Sequence, residues 1–202
     1  TGAIGKDLPE TELVMYLRAT EVEPAGAEVL ARCAIPYFNR TWQHFCSHRH
    51  TPSSGRLAYP AVVRNGRTIY FAHPIFQQYH QNAPRWVKIL VRNALALLLP
   101  EPVLEVSGPS TLLATVNEQR AHNRWVVHLL HYIPERRGQA FDVIEDVIPV
   151  HDIEVKVRCP RPVKQVELVP ERKGLPFDDT GGRVQFRVPE VRGHQMISIA
   201  LA

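Results

Sequence analysis

The sequence predicts an α/β portion followed by an all-β domain of the sandwich type. Three observations carry that reading. An Asn65-Gly66 pair sits between two apolar runs and marks a hairpin. A helix-spaced apolar face follows it after Pro84. Beyond residue 100, short apolar runs recur with turn residues between them, which is the spacing of strands in an antiparallel sandwich. Pro100-Glu-Pro102 stops the helix and separates the two patterns, so the expected domains are 1–100 and 103–202.

Along the first portion, Leu13, Tyr16 and Leu17 keep helical spacing after Pro9, a residue suited to a first turn, and predict a helix there. Glu28 to Pro36 reads as a buried strand. Residues 37–59 carry no clean period, and Thr51-Pro-Ser-Ser-Gly55 has the composition of a loop. Pro60–Val63 and Thr68–Phe71 are the two arms of the hairpin, with a type I′ turn expected at Asn65-Gly66. Pro84 then opens a long helix with Trp86, Val87, Leu90, Val91, Ala94, Leu95 and Leu98 on its apolar face. In the second portion the predicted strands are Thr111–Val116, Trp125–Tyr132, Ile153–Val157, Val166–Val169, Val184–Val188 and Met196–Leu201. Ile153, Val155 and Val157 alternate with polar residues, as do Val184, Phe186 and Val188, so one face is buried and the other wet.

Composition narrows the classes of function. The 202 residues are 45% apolar and 22% charged, ordinary for a protein with a real core. The longest near-apolar run, Ala94–Leu99, is too short to span a bilayer, so no membrane is expected. The first residue is Thr1, which points to a piece of something longer. Cys33, Cys46 and Cys159 are sparse and odd in number, which fits a reducing compartment and a cytoplasmic location rather than a disulfide framework. Charge is uneven. Residues 1–28 hold six acids, and residues 29–100 hold none against nine Lys/Arg and five His. Ten of the sixteen aromatic residues lie between Tyr37 and Trp86, inside that basic stretch. Such interleaving suits stacking on bases with cations on phosphates, stacking on sugar rings, or a protein interface. Trp42 and Phe45 are the aromatics expected at a functional surface, while Tyr70 and Phe71 are assigned to the core.

The segment QHFCSHRHTP, residues 43–52, gathers three histidines and a cysteine. His44, Cys46, His48 and His50 are spaced by two. On a strand they would share a face but spread over about 20 Å, too far for one ion. A structural zinc draws its ligand pairs from two segments, and the second is missing, so no metal and no cofactor is expected. A Cys/His nucleophile needs an activated thiolate and an oxyanion hole, and no cysteine here sits in an elbow context. A pair of glycosidase carboxylates cannot lie in residues 29–100. Asp142, Glu145, Asp146, Asp152 and Glu154 read as the wet face of a sheet. No Gly-rich phosphate cradle precedes a helix.

The order of several segments resembles a known family. YFNRTWQHFCSHRHTP (37–52), PAVV (60–63) and IYFAHPIFQQY (69–79) resemble the end of the middle domain of bacterial glycoside hydrolases that carry a β-galactosidase trimerisation-type domain behind a catalytic barrel. NRWVVHLLHYIPER (123–136) and PEVRGH (189–194) resemble the small C-terminal β-domain of the same proteins. The resemblance implies that residues 1–100 are the later part of a flavodoxin-like, class I glutamine amidotransferase-like α/β domain, and that 103–202 are an antiparallel β-sandwich. It implies a chain without catalytic residues of its own, whose partners are the upstream barrel and further copies of the protein, a trimer among them. The elbow cysteine of an amidotransferase triad is missing, so that activity is not implied. Trp42, His44, Phe45, His48, Arg49 and His50 become a loop that is either structural or turned towards substrate or partner. The expected role is accessory and oligomerising, in a carbohydrate-active hydrolase. The alternatives are a free-standing carbohydrate-binding module or a nucleic-acid-binding module using residues 29–92.

Overall fold

A computed structural model describes residues 2–46 and 51–202. The chain divides into two compact units, Thr1–Glu101 and Pro102–Ala202.

The first unit contains a 3-10 turn at Ala3–Gly5, then β1 (Glu28–Pro36), β2 (Ser53–Asn65), β3 (Thr68–Phe71), α1 (Ile75–Asn82) and α2 (Arg85–Leu98). The three strands form one antiparallel sheet in chain order. This departs from a flavodoxin-like portion, whose strands run parallel with helices as crossovers. A short turn joins β2 to β3, and a two-residue loop permits antiparallel pairing only. β1 occupies the predicted residues. β2 starts earlier than predicted, at Ser53, because the loop-like residues pair with β1: Pro36 lies opposite Ser53 and Ala34 opposite Leu57. Repeated register shifts along this pair absorb its irregular sequence. The hairpin falls where Asn65-Gly66 placed it, but Asn65 pairs with Thr68, so the loop residues are Gly66 and Arg67. Gly66 has φ 56° and Arg67 is not among the residues with positive φ, the pattern of a type II′ rather than a type I′ turn.

Two further expectations for this unit fail. Residues 11–20 form no helix. Their backbone is tied instead to distant groups: Thr20 N donates to Ala72 O at 2.9 Å, and the buried side chain of Gln78 bonds to Val14 and Tyr16. The second is the apolar face of α2, which is narrower than its sequence implies. Val87, Leu90, Asn93 and Ala94 are buried, while Leu95 points to solvent. Asn93 replaces an apolar residue in the stripe because its Nδ2 donates to Ile4 O and Lys6 O, at 2.9 and 2.7 Å. The core gathers Ile4, Val62, Leu90 and Ala94, with Leu30, Ile69, Phe71 and Trp86 packed on it. Tyr70, assigned to the core from sequence, is exposed because Ile69 and Phe71 take the inner face of β3.

The second unit is all-β. Its strands are β4 (Leu104–Val106), β5 (Leu112–Gln119), β6 (Arg124–His131), β7 (Glu135–Arg136), β8 (Asp142–Val143), β9 (Val150–Arg158), β10 (Val163–Val169), β11 (Lys173–Gly174), β12 (Phe177–Thr180), β13 (Arg183–Val191) and β14 (Gly193–Leu201). A five-stranded sheet in the order β11-β10-β14-β6-β5 and a four-stranded sheet in the order β12-β13-β9-β4 share one core, a β-sandwich. Every predicted strand of this half is present. Ile153, Val155 and Val157 of β9 meet Val184, Phe186 and Val188 of β13, all buried. Each such side chain is worth roughly 1.5–3 kcal/mol once removed from water. β14 contributes Ile197, Ile199 and Leu201 from the other sheet. Of the acids assigned to the wet face of a sheet, Asp152 and Glu154 lie on β9, where Arg187 reaches Glu154 at 2.9 Å; Asp142 lies on the separate β7–β8 pair, 2.6 Å from Arg136, and Glu145 and Asp146 lie in the irregular segment between β8 and β9. The sequence missed β4, β7, β8, β11 and β12, all of four residues or fewer.

Candidate functional site

The site is built from α1 outwards. Its residue Gln78 is 1% exposed, and its carboxamide works at both ends. Oε1 accepts from Tyr16 N at 3.0 Å, and Nε2 donates to Val14 O at 3.1 Å. This pair of bonds mimics a strand partner and holds residues 14–16 extended against the helix. Tyr16 is thereby fixed with 46% of its surface in solvent. One helical turn further on, Gln81 and Asn82 project from the end of α1. The helix stops there because Ala83 adopts the left-handed conformation, φ 46°, with its N–H on Tyr79 O.

Tyr16, Leu17, Gln81, Asn82 and Arg40 line an open cleft of about 500 Å³. Arg40 enters from the segment after β1. That segment is organised by a closed turn: Thr41 N donates to His44 O at 2.8 Å, and His44 N donates to Thr41 Oγ1 at 3.0 Å. The His44 ring lies 5.9 Å from that of Phe38, tilted by 36°. The Arg40 guanidinium carbon stands 5.5 Å from the centre of the Phe45 ring, a cation–π distance. Trp42 is 88% exposed and Phe45 70%. The turn thus brings Trp42, His44 and Phe45 together on the surface beside the cleft's arginine. His48, Arg49 and His50 lie outside the described residues. Sequence reading missed Tyr16, Leu17, Arg40, Gln81 and Asn82. Only the exposed aromatic surplus near Arg40 hinted at them, because Tyr16 and Leu17 carried a helical period.

A cluster around Cys33 answers the nucleophile question in chemical terms. Its Sγ lies 4.0 Å from His73 Nδ1. Burial pushes the thiol up, and a hydrogen bond with Tyr59 offsets this only in part. Burial also pushes His73 down from its ordinary value. A thiol held protonated beside a neutral imidazole is the opposite of an activated Cys/His pair. Cys159, in the sandwich core, is pushed up to about 11, by burial first and by Asp179 second. Among the described residues, no three His, Cys, Asp or Glu side chains converge in a way that could hold a metal ion. Among them, too, no helix is long and apolar enough to cross a membrane.

The arrangement gathers a phenol and an indole in solvent, a guanidinium and two carboxamides. Neither a family model nor a curated protein matches the chain. A solved structure does. Alpha-L-fucosidase isoenzyme 2 from Paenibacillus thiaminolyticus is similar over 100% of the chain, at 35% sequence identity and a TM-score of 0.94. The chain spans 30% of that enzyme's length. It is therefore similar throughout to one part of a bacterial glycoside hydrolase.

Proposed function

We propose that this chain is the non-catalytic, C-terminal accessory region of a glycoside hydrolase, lying behind a catalytic barrel and contributing to oligomer formation. The single observation that supports the reading most is the match to the fucosidase, which takes in the entire chain but under a third of the enzyme. The parent's substrate class would then be a glycoside, with an α-L-fucoside the first to try. The chemistry of the chain agrees. Its Cys33/His73 pair is held in the unreactive protonation states, and the acids on β8 and β9 are spent on arginines of the sheet surface. A solvent-facing turn with Trp42 and Phe45 is a surface suited to a second subunit or to sugar, since aromatics with a cationic neighbour are enriched at both.

Light scattering on the chain at two salt concentrations tests the oligomerising role. The chain weighs 23.0 kDa. A mass of roughly 69 kDa corresponds to a closed trimer, and Trp42→Ala then lowers it. A monomer at all concentrations removes the oligomerising role from this piece. Chromogenic fucoside assays complete the test: turnover by the chain alone would overturn the non-catalytic assignment.

A further inference from the structure

We infer that the cleft of the first unit binds a neutral saccharide residue, with Tyr16 as the stacking platform and Arg40, Gln81 and Asn82 as the groups that read its hydroxyls. The choice of a saccharide rests on the glycoside-hydrolase reading above; the location and the roles rest on the cleft itself.

The lining has the mixed character that sugars require. A pyranose presents an apolar C–H face and a rim of hydroxyls, each both donor and acceptor. Tyr16 offers an exposed aromatic face, and Leu17 extends the apolar floor. Gln81 and Asn82 each supply an acceptor oxygen and an NH₂ donor, and Arg40 supplies a fork of donors. The volume of about 500 Å³ is in the range of ligand pockets and exceeds what one water cluster needs. These polar groups are also unspent. Among the described residues, the side chains of Tyr16, Gln81 and Asn82 make no hydrogen bond, and Arg40 contacts only the Phe45 ring.

Charge selects the neutral class. Arg40 alone would suit an anion. However, the cleft sits at the C-terminal end of α1, where the last backbone carbonyls point outwards and carry partial negative charge. Those carbonyls disfavour a carboxylate or sulfate and accept from hydroxyls. With two carboxamides in the lining, each both donor and acceptor, the set matches a polyol better than an anion.

The site is also prearranged. Gln78, buried below it on the same helix, fixes the backbone on both sides of Met15 and so fixes Tyr16. The backbone that carries the ring is thus in place before binding, and the ordering left to do falls on the side chains of Arg40, Gln81 and Asn82. Gln78 is therefore a positioning residue.

Saturation-transfer NMR on the 202-residue chain tests the inference, with the methyl glycosides of L-fucose, D-galactose, D-glucose and D-mannose, and with D-glucuronate as the anionic control. The expected result is saturation by at least one neutral glycoside at about millimolar affinity, and none by glucuronate. Arg40→Ala and Tyr16→Ala should each weaken it by about tenfold. Arg40 is exposed and outside every core cluster, so its variant keeps the fold even where Tyr16→Ala does not. No signal from any glycoside overturns the inference, as does binding that survives Arg40→Ala and Gln81→Ala unchanged. A preference for glucuronate overturns the neutral class. None of these outcomes bears on the mass measured by light scattering, so the accessory role stands or falls separately.

Discussion

Gln78 and Asn93 are buried carboxamides on successive helices: Gln78 satisfies the Val14 carbonyl and the Tyr16 N–H, and Asn93 two backbone carbonyls. The geometry of Asn93 is specific. Its NH₂ is divided between Ile4 O and Lys6 O, so only a double donor fits. Asn93→Ala leaves both carbonyls without that partner and should cost the first unit about 1–3 kcal/mol in urea unfolding. Asn93→Asp should cost more, because it sets carboxylate oxygens against carbonyl oxygens. His73 sets a pH dependence of known sign. Burial lowers its folded value below the ordinary 6.5, so near that pH the unfolded chain binds more protons than the folded one. Stability of the first unit should therefore be full above about pH 6.5 and fall on acidification through it. Unfolding midpoints measured between neutral and mildly acid pH should show that slope in the wild type and a flatter one in His73→Gln.

At the scale of elements, the hairpin between β2 and β3 depends on one residue. Gly66 holds φ 56° at the first loop position, where a β-branched side chain would meet the backbone. Gly66→Val should destabilise the first unit by about 1–2 kcal/mol, while Arg67→Ala, at a position of ordinary φ, should be near neutral; denaturant midpoints of the two variants check both. This hairpin also shows what a sequence can and cannot reveal. Its existence was legible from Asn-Gly between apolar runs, a local signal. Its turn type was not, because register is decided by the whole β2–β3 pair. The long strands of the sandwich were legible because inner and outer faces impose a strict period of two on β9 and β13. The helix expected around Leu13 to Leu17 was not, since the extended path there is set by Gln78, more than sixty residues away. The same distance hid the cleft. Trp42 and Phe45 stood out as aromatics in a basic stretch, but Tyr16, Arg40 and Gln81 become neighbours only after folding.

For the whole molecule, the two units differ sharply in how much apolar surface they bury. Among the described residues, seventeen buried hydrophobic side chains belong to the second unit and seven to the first. Sixteen of the larger set form one cluster drawn from both sheets, with Val127, Val155, Val184 and Ile199 fully removed from water. The smaller set centres on four residues, two of them Ile4 and Ala94, and leans on the carboxamide of Asn93 to keep Ile4 in place. At roughly 1.5–3 kcal/mol per buried aliphatic side chain, the difference outweighs anything the exposed ion pairs supply, since such pairs contribute about 0–1 kcal/mol each. Heating should therefore give two transitions. The first should move to lower temperature in Asn93→Ala and the second stay where it was. Tyr16 and the other two tryptophans report on the first unit, and Trp125, half-buried on β6, reports on the second. Residues 102–202 expressed alone should keep the upper transition, because every described residue of that core cluster lies within them. A single cooperative transition that shifts as a whole in Asn93→Ala would mean instead that the units fold as one, and that the small core of the first is sustained by the second.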